Sequence, residues 1–250
     1  MAGLCLLLLV GCSADLRLAK TFVARRTGIR AAVYFPEKAE VKSENDAANG
    51  ASEVLEGFSK DLFLDIMYGA YREAMGAYDV EVYVPDDIEN VRVDSAHWLV
   101  MLSRMEITGR ITEYEDVLFS DMGEVSYKHP LNEVNVASWF EVSDGEWKPV
   151  LFCEHNLIDG FSSTTDYSFW TANIGYDYTI DTLQLDDVYH YAVYLGKLYA
   201  GYTYDYMMND YVGDELKKLN REYQILFRYD PYKKQVQYAE EGDGFVELEE

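Results

Sequence analysis

The sequence predicts an α/β or α+β fold built mainly on an antiparallel sheet. Three observations point there. A period-two apolar run, a helix-like segment and a second period-two run follow one another early in the chain. Paired apolar strands then crowd the middle. A long tyrosine-rich helix and a short hairpin occupy the C-terminal part. Elements of this kind bury their apolar faces by packing helices on a sheet.

The elements follow in order. Ile29, Ala31, Val33 and Phe35 alternate with Arg30, Ala32 and Tyr34, which predicts a strand ending at Pro36. Residues 38–52 are charged, small and nearly free of large apolar side chains, and read as a mobile loop. Ser59 to Ala77 reads as a helix capped by Ser59, with Leu62, Ile66, Ala70 and Ala74 on the buried face and Gly76 near its end. Val80, Val82 and Val84 alternate with Glu81 and Tyr83, giving a strand stopped by Pro85 and completing a strand–helix–strand unit. His97–Ile107 and Ile111–Phe119 read as two strands separated at Gly109-Arg110. Val134–Val142 and Val150–Leu157 form the next pair, joined by the turn Ser143-Asp144-Gly145-Glu146.

The second helix is expected over Asp187–Asn209, with Asp186 and Asp187 favouring its N-terminal end and Gly213 beyond its last turn. Val188, Ala192, Leu195, Tyr199, Tyr202 and Tyr206 form its sheet-facing stripe. Tyr191, Tyr194 and Asp205 fall off that stripe at steps of about 100° per residue. Glu222–Tyr229 and Lys234–Tyr238 flank Asp230-Pro231-Tyr232 as a final hairpin.

Residues 1–11 are uncharged, mostly Leu, Val, Ala and Gly, and end at Leu9-Val10-Gly11-Cys12. That run is shorter than the roughly 20 apolar residues a bilayer span needs. It suits a signal-peptide core followed by a small residue at the cleavage site. The ending resembles a bacterial lipobox. The resemblance implies cleavage before Cys12 and lipidation of that cysteine, with acyl chains such as palmitate holding the protein on a membrane. The competing reading is an apolar first strand in which Cys12 is incidental. The expected organisation is a signal peptide over 1–11, a lipidated N-terminus and leader over 12–26, and one globular domain over 27–250.

Formal net charge is −24. So acidic a chain argues against nucleic acid and against electrostatic docking on anionic lipid. Cys5 would leave with the signal peptide and Cys12 would carry lipid, so Cys153 stands alone and the mature chain holds no disulfide. In its apolar run Cys153 reads as a small core residue.

Fifteen of the 22 tyrosines lie from Tyr167 onward. A tyrosine has an apolar ring and a polar tip, which suits core packing, a protein interface or a carbohydrate-stacking face. His190 shares a helix face with Asp186 and Asp187, but His97, His129 and His155 follow no spacing with it, so a zinc set of three or four ligands is not expected. Glu154-His155 with Asp159 suggests acid–base work, yet neighbours on a strand face opposite sides. No P-loop, dinucleotide fingerprint, G-x-S-x-G or H-E-x-x-H occurs. The expectation is therefore no enzyme, no cofactor and no metal.

Several stretches in order carry a wider likeness. They are the lipobox, Ala31–Pro36, His97–Glu106, Val134–Glu141, Asp205-Tyr206-Met207-Met208-Asn209 and Arg228-Tyr229-Asp230. Together they resemble a family of lipoproteins of the Bacteroidota. That resemblance implies an envelope lipoprotein on the outer membrane, on its periplasmic face, and assigns no residue a role except Cys12. The functional expectation is an accessory or scaffold that binds another envelope protein, with Tyr191 and Tyr194 as contact residues. The alternative is a glycan-binding lipoprotein using the tyrosine-rich C-terminal region.

Overall fold

The computed structural model describes all residues except 1, 26–27, 37–38, 47–49, 86–92, 95, 121–122, 146–148, 169–172, 222–224, 241, 243 and 249–250. In chain order the elements are α1 (Ala2–Arg25), β1 (Ile29–Tyr34), β2 (Glu40–Ser43), β3 (Asn45–Asp46), β4 (Gly50–Ala51), α2 (Lys60–Ala77), β5 (Val80–Tyr83), β6 (His97–Ser120) and β7 (Gly123–Ser143). They continue as β8 (Val150–Ile158), β9 (Gly160–Ser168), β10 (Asn173–Asp181), α3 (Leu185–Lys218), β11 (Phe227–Asp230), β12 (Gln235–Tyr238) and β13 (Val246–Leu248).

The class is α+β. The main sheet is mixed, in the order β13-β8-β7-β6-β1-β5, with β2 paired to the middle of β6. β1 runs parallel to both β5 and β6, whereas β6, β7, β8 and β13 pair antiparallel in succession. β1 is small and apolar at its centre because it is covered on both faces: Ala31, Ala32 and Val33 are fully buried. α2 and α3 pack on one face of the sheet, where Phe140 meets Tyr199 at 5.1 Å between ring centroids. Trp139 and Phe152 pair on the opposite face, with the Arg104 guanidinium over the Trp139 ring at 4.6 Å.

The N-terminal segment is helical throughout 2–25, so the first-strand alternative fails. Asp15, Ala19 and Phe22 are buried, and Phe22 sits 5.6 Å from both the Tyr204 and Tyr211 rings of α3. The segment expected as a short leader is therefore a packed helix. No helix among the described residues is long and apolar enough to cross a membrane.

Four further expectations are corrected. Residues 38–52 are not simply a loop: β2 lies parallel along Glu106–Gly109 of β6, and β3 pairs with β4. α2 begins at its Ser59 cap, whose side chain accepts from Leu62 N at 3.3 Å, but it buries Phe63, Leu64, Met67, Tyr71 and Met75, and of the expected face only Ala70. Leu62 is 47% exposed. The bulkier side chains, one step round the helix, win the core. β6 runs unbroken through Gly109-Arg110. A Cβ at Gly109 would stand 3.1 Å from Leu55, so the glycine admits a neighbouring side chain rather than ending a strand. α3 continues through Gly213 to Lys218, a length of 34 residues. Of the expected turn at 143–146, Glu146 lies outside the described residues, and Gly145 takes a positive φ of 111°.

Beyond Arg110 the β6–β7 ribbon leaves the main sheet and pairs on to Ser120 and Gly123. Ten residues at about 3.3 Å each make an arm on the order of 30 Å long. The β9–β10 hairpin, absent from the sequence-based expectation, lies against that arm. A polar hub pins both where they leave the body. Buried Asp159 accepts from Asn132 N at 2.8 Å, from Asn132 Nδ2 at 3.0 Å and from Leu183 N at 2.7 Å. Ser52 Oγ donates to Asn132 Oδ1 at 2.9 Å. Arg110 makes a bidentate pair with buried Glu133, at 2.7 and 3.1 Å. Asp159 is thus structural.

Candidate functional site

Two regions of the molecule carry grouped chemistry: the arm, and the C-terminal end of α3 with the segment that crosses it.

On the arm, alternate residues of each ribbon point one way. Tyr127 and His129 of β7 therefore share a face, as do Tyr176 and Tyr178 of β10. The rings interleave. Tyr127 stacks on Tyr176 at 4.2 Å and 7° between planes, His129 meets Tyr178 at 4.4 Å, and Tyr114 meets Phe161 at 4.8 Å. Tyr176 Oη donates to Asp116 Oδ2 at 3.0 Å, which leaves its oxygen to accept from His129 Nε2 at 3.0 Å. That chain assigns the Nε2–H tautomer to His129. Burial, and then the hydrogen bond to Asp116, push the Tyr176 phenol up to about 12, so it stays protonated and acts as a link between ribbons. Three outer rings remain open to solvent: Tyr114 is 43% exposed, Tyr127 36% and Tyr178 49%. No sequence expectation singled out this cluster. The alternating pairs Tyr127/His129 and Tyr176/Tyr178 were the available signal.

At the other end, α3 holds the C-terminal hairpin through two side chains. Asp205 Oδ1 accepts from Tyr229 N at 2.8 Å. Asn209 Oδ1 accepts from Phe227 N, and its Nδ2 donates to Phe227 O, both at 2.9 Å. Above this clamp is a cavity of about 480 Å³, walled by Tyr202, Tyr206, Asp210, Phe227, Phe245 and Glu247 among others. Asp210 also lines a smaller cavity of about 270 Å³, together with Trp98, Asp144, Asp214 and Lys218.

The sequence-derived candidates distribute as follows. Tyr191 and Asp205, expected off the buried stripe, are buried, at 9% and 8% exposure. The stripe itself holds at Val188, Ala192, Leu195 and Tyr199, all fully buried, and Tyr202 is buried too. α3 is wider in its burial than one stripe because α1 and α2 as well as the sheet pack against it. Tyr194 is 54% exposed, and its ring stacks on Tyr191 at 5.7 Å and 11°. Cys12 lies in α1, and its side chain is outside the described residues. Cys153 is buried, and burial pushes its thiol up to about 12, an inert state. Glu154 is exposed on one face of β8, while His155 turns to the other, between Tyr199 and Tyr202 at 6.0 and 5.9 Å. Burial lowers the His155 pKa and keeps the imidazole neutral. Those two residues do not converge. His190 is exposed with Asp186 and Asp187, and no group of three or more metal-ligating side chains occurs among the described residues.

No family model, no curated protein and no solved structure matches this chain.

Proposed function

We propose that this chain is a lipid-anchored envelope protein without enzymatic activity that binds another envelope protein through the outer rings of its arm. The reading rests on one observation: Tyr114, Tyr127 and Tyr178 are half-exposed on a projecting pair of ribbons whose inner rings are already packed. Tyrosines presented on a rigid support supply large amphipathic contact area, and residues of this type dominate interface energetics. Tyr194, the exposed member of the stacked pair on α3, is a second contact.

The anchor is Cys12, on the outer membrane and its periplasmic face. Asp15 is already buried and ion-paired to Arg221 at 3.3 Å, so only Ser13 and Ala14 separate the lipidated residue from the folded body. The domain would thus sit close to the bilayer.

Crosslinking in native membranes followed by mass spectrometry tests both parts. Tyr114→Ser/Tyr127→Ser/Tyr178→Ser should fold and remain on the membrane but lose the crosslinked partner. Cys12→Ala should leave the membrane fraction. A full set of crosslinks in the triple variant overturns the interface. A Cys12→Ala protein that still sediments with outer membranes and incorporates a fatty-acid probe overturns the anchor.

A further inference from the structure

We propose that the edge of β8 beyond Phe152 takes up an extended, cationic segment of a partner protein as an added strand, with apolar side chains of that segment against Tyr191 and Tyr194 of α3. The proposal rests on the reading of Tyr194 as a contact residue and is independent of the arm.

The backbone makes the offer. β13 pairs with only Val150, Leu151 and Phe152 of the nine residues of β8. Residues 153–158 pair with β7 on one side, and no described strand pairs with their other side. Asp159 N donates to Asn132 O at 3.0 Å, in register with the β7–β8 ladder. Pairing alternates along an antiparallel strand, so Glu154, Asn156 and Ile158 direct their N–H and C=O groups away from β7. Native edges are usually guarded by lysine, proline, a bulge or shortness. The run Cys153-Glu154-His155-Asn156-Leu157-Ile158 holds no lysine and no proline, and it keeps one register with β7. At the opposite edge of the sheet, β5 is only four residues long, and Pro85 follows closely.

The chain itself shows how a strand sits on β8. β13 adds antiparallel, and the Phe245 ring just before it packs 5.5 Å from Tyr202 of α3 and 5.0 Å from Phe140. Gly244, at a φ of 123°, precedes that residue, and β13 does not extend along 153–158. The α3 face that receives Phe245 continues. Tyr191, Leu198 and Tyr202 recur at spacings of seven and four, so they share one side of the helix. Tyr202 lies 5.9 Å from His155 of β8. Burial, and then the neighbouring Tyr194 and Cys153, raise the Tyr191 pKa, which puts its hydroxyl near β8 as well. Tyr194 stacks on Tyr191 and keeps 54% of its surface exposed. An added strand in line with β13 would turn every second side chain toward these rings, as Phe245 turns toward Tyr202. In strand addition the main chain supplies affinity and alternate side chains supply selectivity.

Charge selects the occupant. The chain carries −24, and Glu154, Asp186 and Asp187 are exposed. A second copy would bring the same charge and be repelled, whereas a segment bearing lysine or arginine is attracted.

The detergent-solubilised full chain should be titrated by fluorescence anisotropy with a short labelled peptide in which phenylalanine or valine alternates with lysine. Micromolar binding is expected, weakening as salt rises. Amide exchange at Glu154, Asn156 and Ile158 should slow on binding. N-methylation of alternate peptide amides, on the side that faces β8, should weaken binding about tenfold or more. Asn156→Pro removes an outward N–H, which an edge strand tolerates, and Tyr194→Ala removes an exposed ring; each should weaken binding by a similar factor. The arm variant Tyr114→Ser/Tyr127→Ser/Tyr178→Ser should bind the peptide as wild type does, so a failed arm leaves this result standing. The proposal is overturned by absence of binding, or by binding that leaves exchange at those three amides unchanged. Affinity that survives both Asn156→Pro and Tyr194→Ala overturns it too, as does equal affinity for a peptide with glutamate in place of lysine. So does a dimer of the chain that protects the same amides without peptide.

Discussion

Gly196→Ala should be among the most damaging single-methyl additions to this protein. α2 and α3 cross with their backbones in contact at that glycine. A Cβ there would overlap the Met67 carbonyl oxygen and stand 2.9 Å from both Ala70 Cβ and Tyr71 N. Two of those three atoms are backbone, so no rotamer change relieves the clash and α2 must move as a unit. A gap of even 0.5–1 Å forfeits about a quarter to a half of each dispersion contact along the seam. That seam includes the fully buried Met67, Tyr71, Leu195 and Tyr199. Overpacking typically costs about 1–3 kcal/mol, and occasionally more. An immovable wall puts this case at or above the top of that range. The better helix propensity of alanine returns roughly 0.8–1 kcal/mol. A net loss of about 3 kcal/mol at a urea m-value of about 2–3 kcal/mol/M lowers the midpoint by roughly 1–1.5 M. Gly201→Ala is the internal control. Its Cβ meets only the terminal Tyr78 hydroxyl, at 3.2 Å, and that side chain can give way. Its midpoint should shift by less than about 0.5 M in either direction, since the propensity gain and the contact oppose each other. Equal midpoints for Gly196→Ala and wild type would refute the close crossing of the two helices.

Two further outcomes follow from named contacts. Asn209→Ala deletes both hydrogen bonds to Phe227 and should cost about 1–3 kcal/mol, and hydrogen exchange at Phe227 should accelerate while β7 stays protected. His155 is held neutral by burial, so its folded pKa lies below the ordinary 6.5 of the unfolded chain. Unfolding then takes up a proton, and stability falls as pH drops through 6.5 toward the folded pKa. His155→Gln should flatten that part of the stability–pH curve, and an unchanged slope would show that His155 is not the group responsible.

How far the sequence could be read depended on how many solutions each pattern allowed. The alternation of Ile29, Ala31 and Val33 admits one strand register, and β1 follows it. Ser59 marks a helix start because its side chain can reach a free amide three residues on, and it does. The phase of α2 was ambiguous, because Leu62, Phe63, Leu64, Ile66 and Met67 surround more than one face. Only the shape of the sheet and α3 selects Phe63, Met67 and Tyr71. Gly109 had two meanings, a strand break or room for a neighbour, and Leu55, more than fifty residues away in sequence, decides between them. β9 and β10 were missed because Ser163, Thr164 and Asp177 dilute the apolar signal of the ribbon. The arm's rings were legible as alternating pairs, although their meeting across two ribbons was not. That the Trp98 N–H meets no hydrogen-bond partner among the described residues is a property of tertiary packing, to which local pattern gives no access.

The clamp gives the spacing of Asp205-Tyr206-Met207-Met208-Asn209 a physical reason. β11 needs cover along the edge that does not pair with β12, since open edges invite association. Residues four apart on a helix rise about 6.0 Å, and residues two apart on a strand about 6.6 Å. Asp205 and Asn209 therefore match Tyr229 and Phe227 along β11 with little distortion. The residue types follow from the same match. Asn209 faces both the N–H and the C=O of Phe227, which requires a side chain that donates and accepts, whereas Asp205 receives the Tyr229 N–H and lies 3.8 Å from Arg228 Nε, which suits a carboxylate. Met207 and Met208, between them, are fully buried. Tyr206 is the one member of the five that neither clamps the hairpin nor lies fully in the core. It packs against the edge of the core and lines the larger cavity.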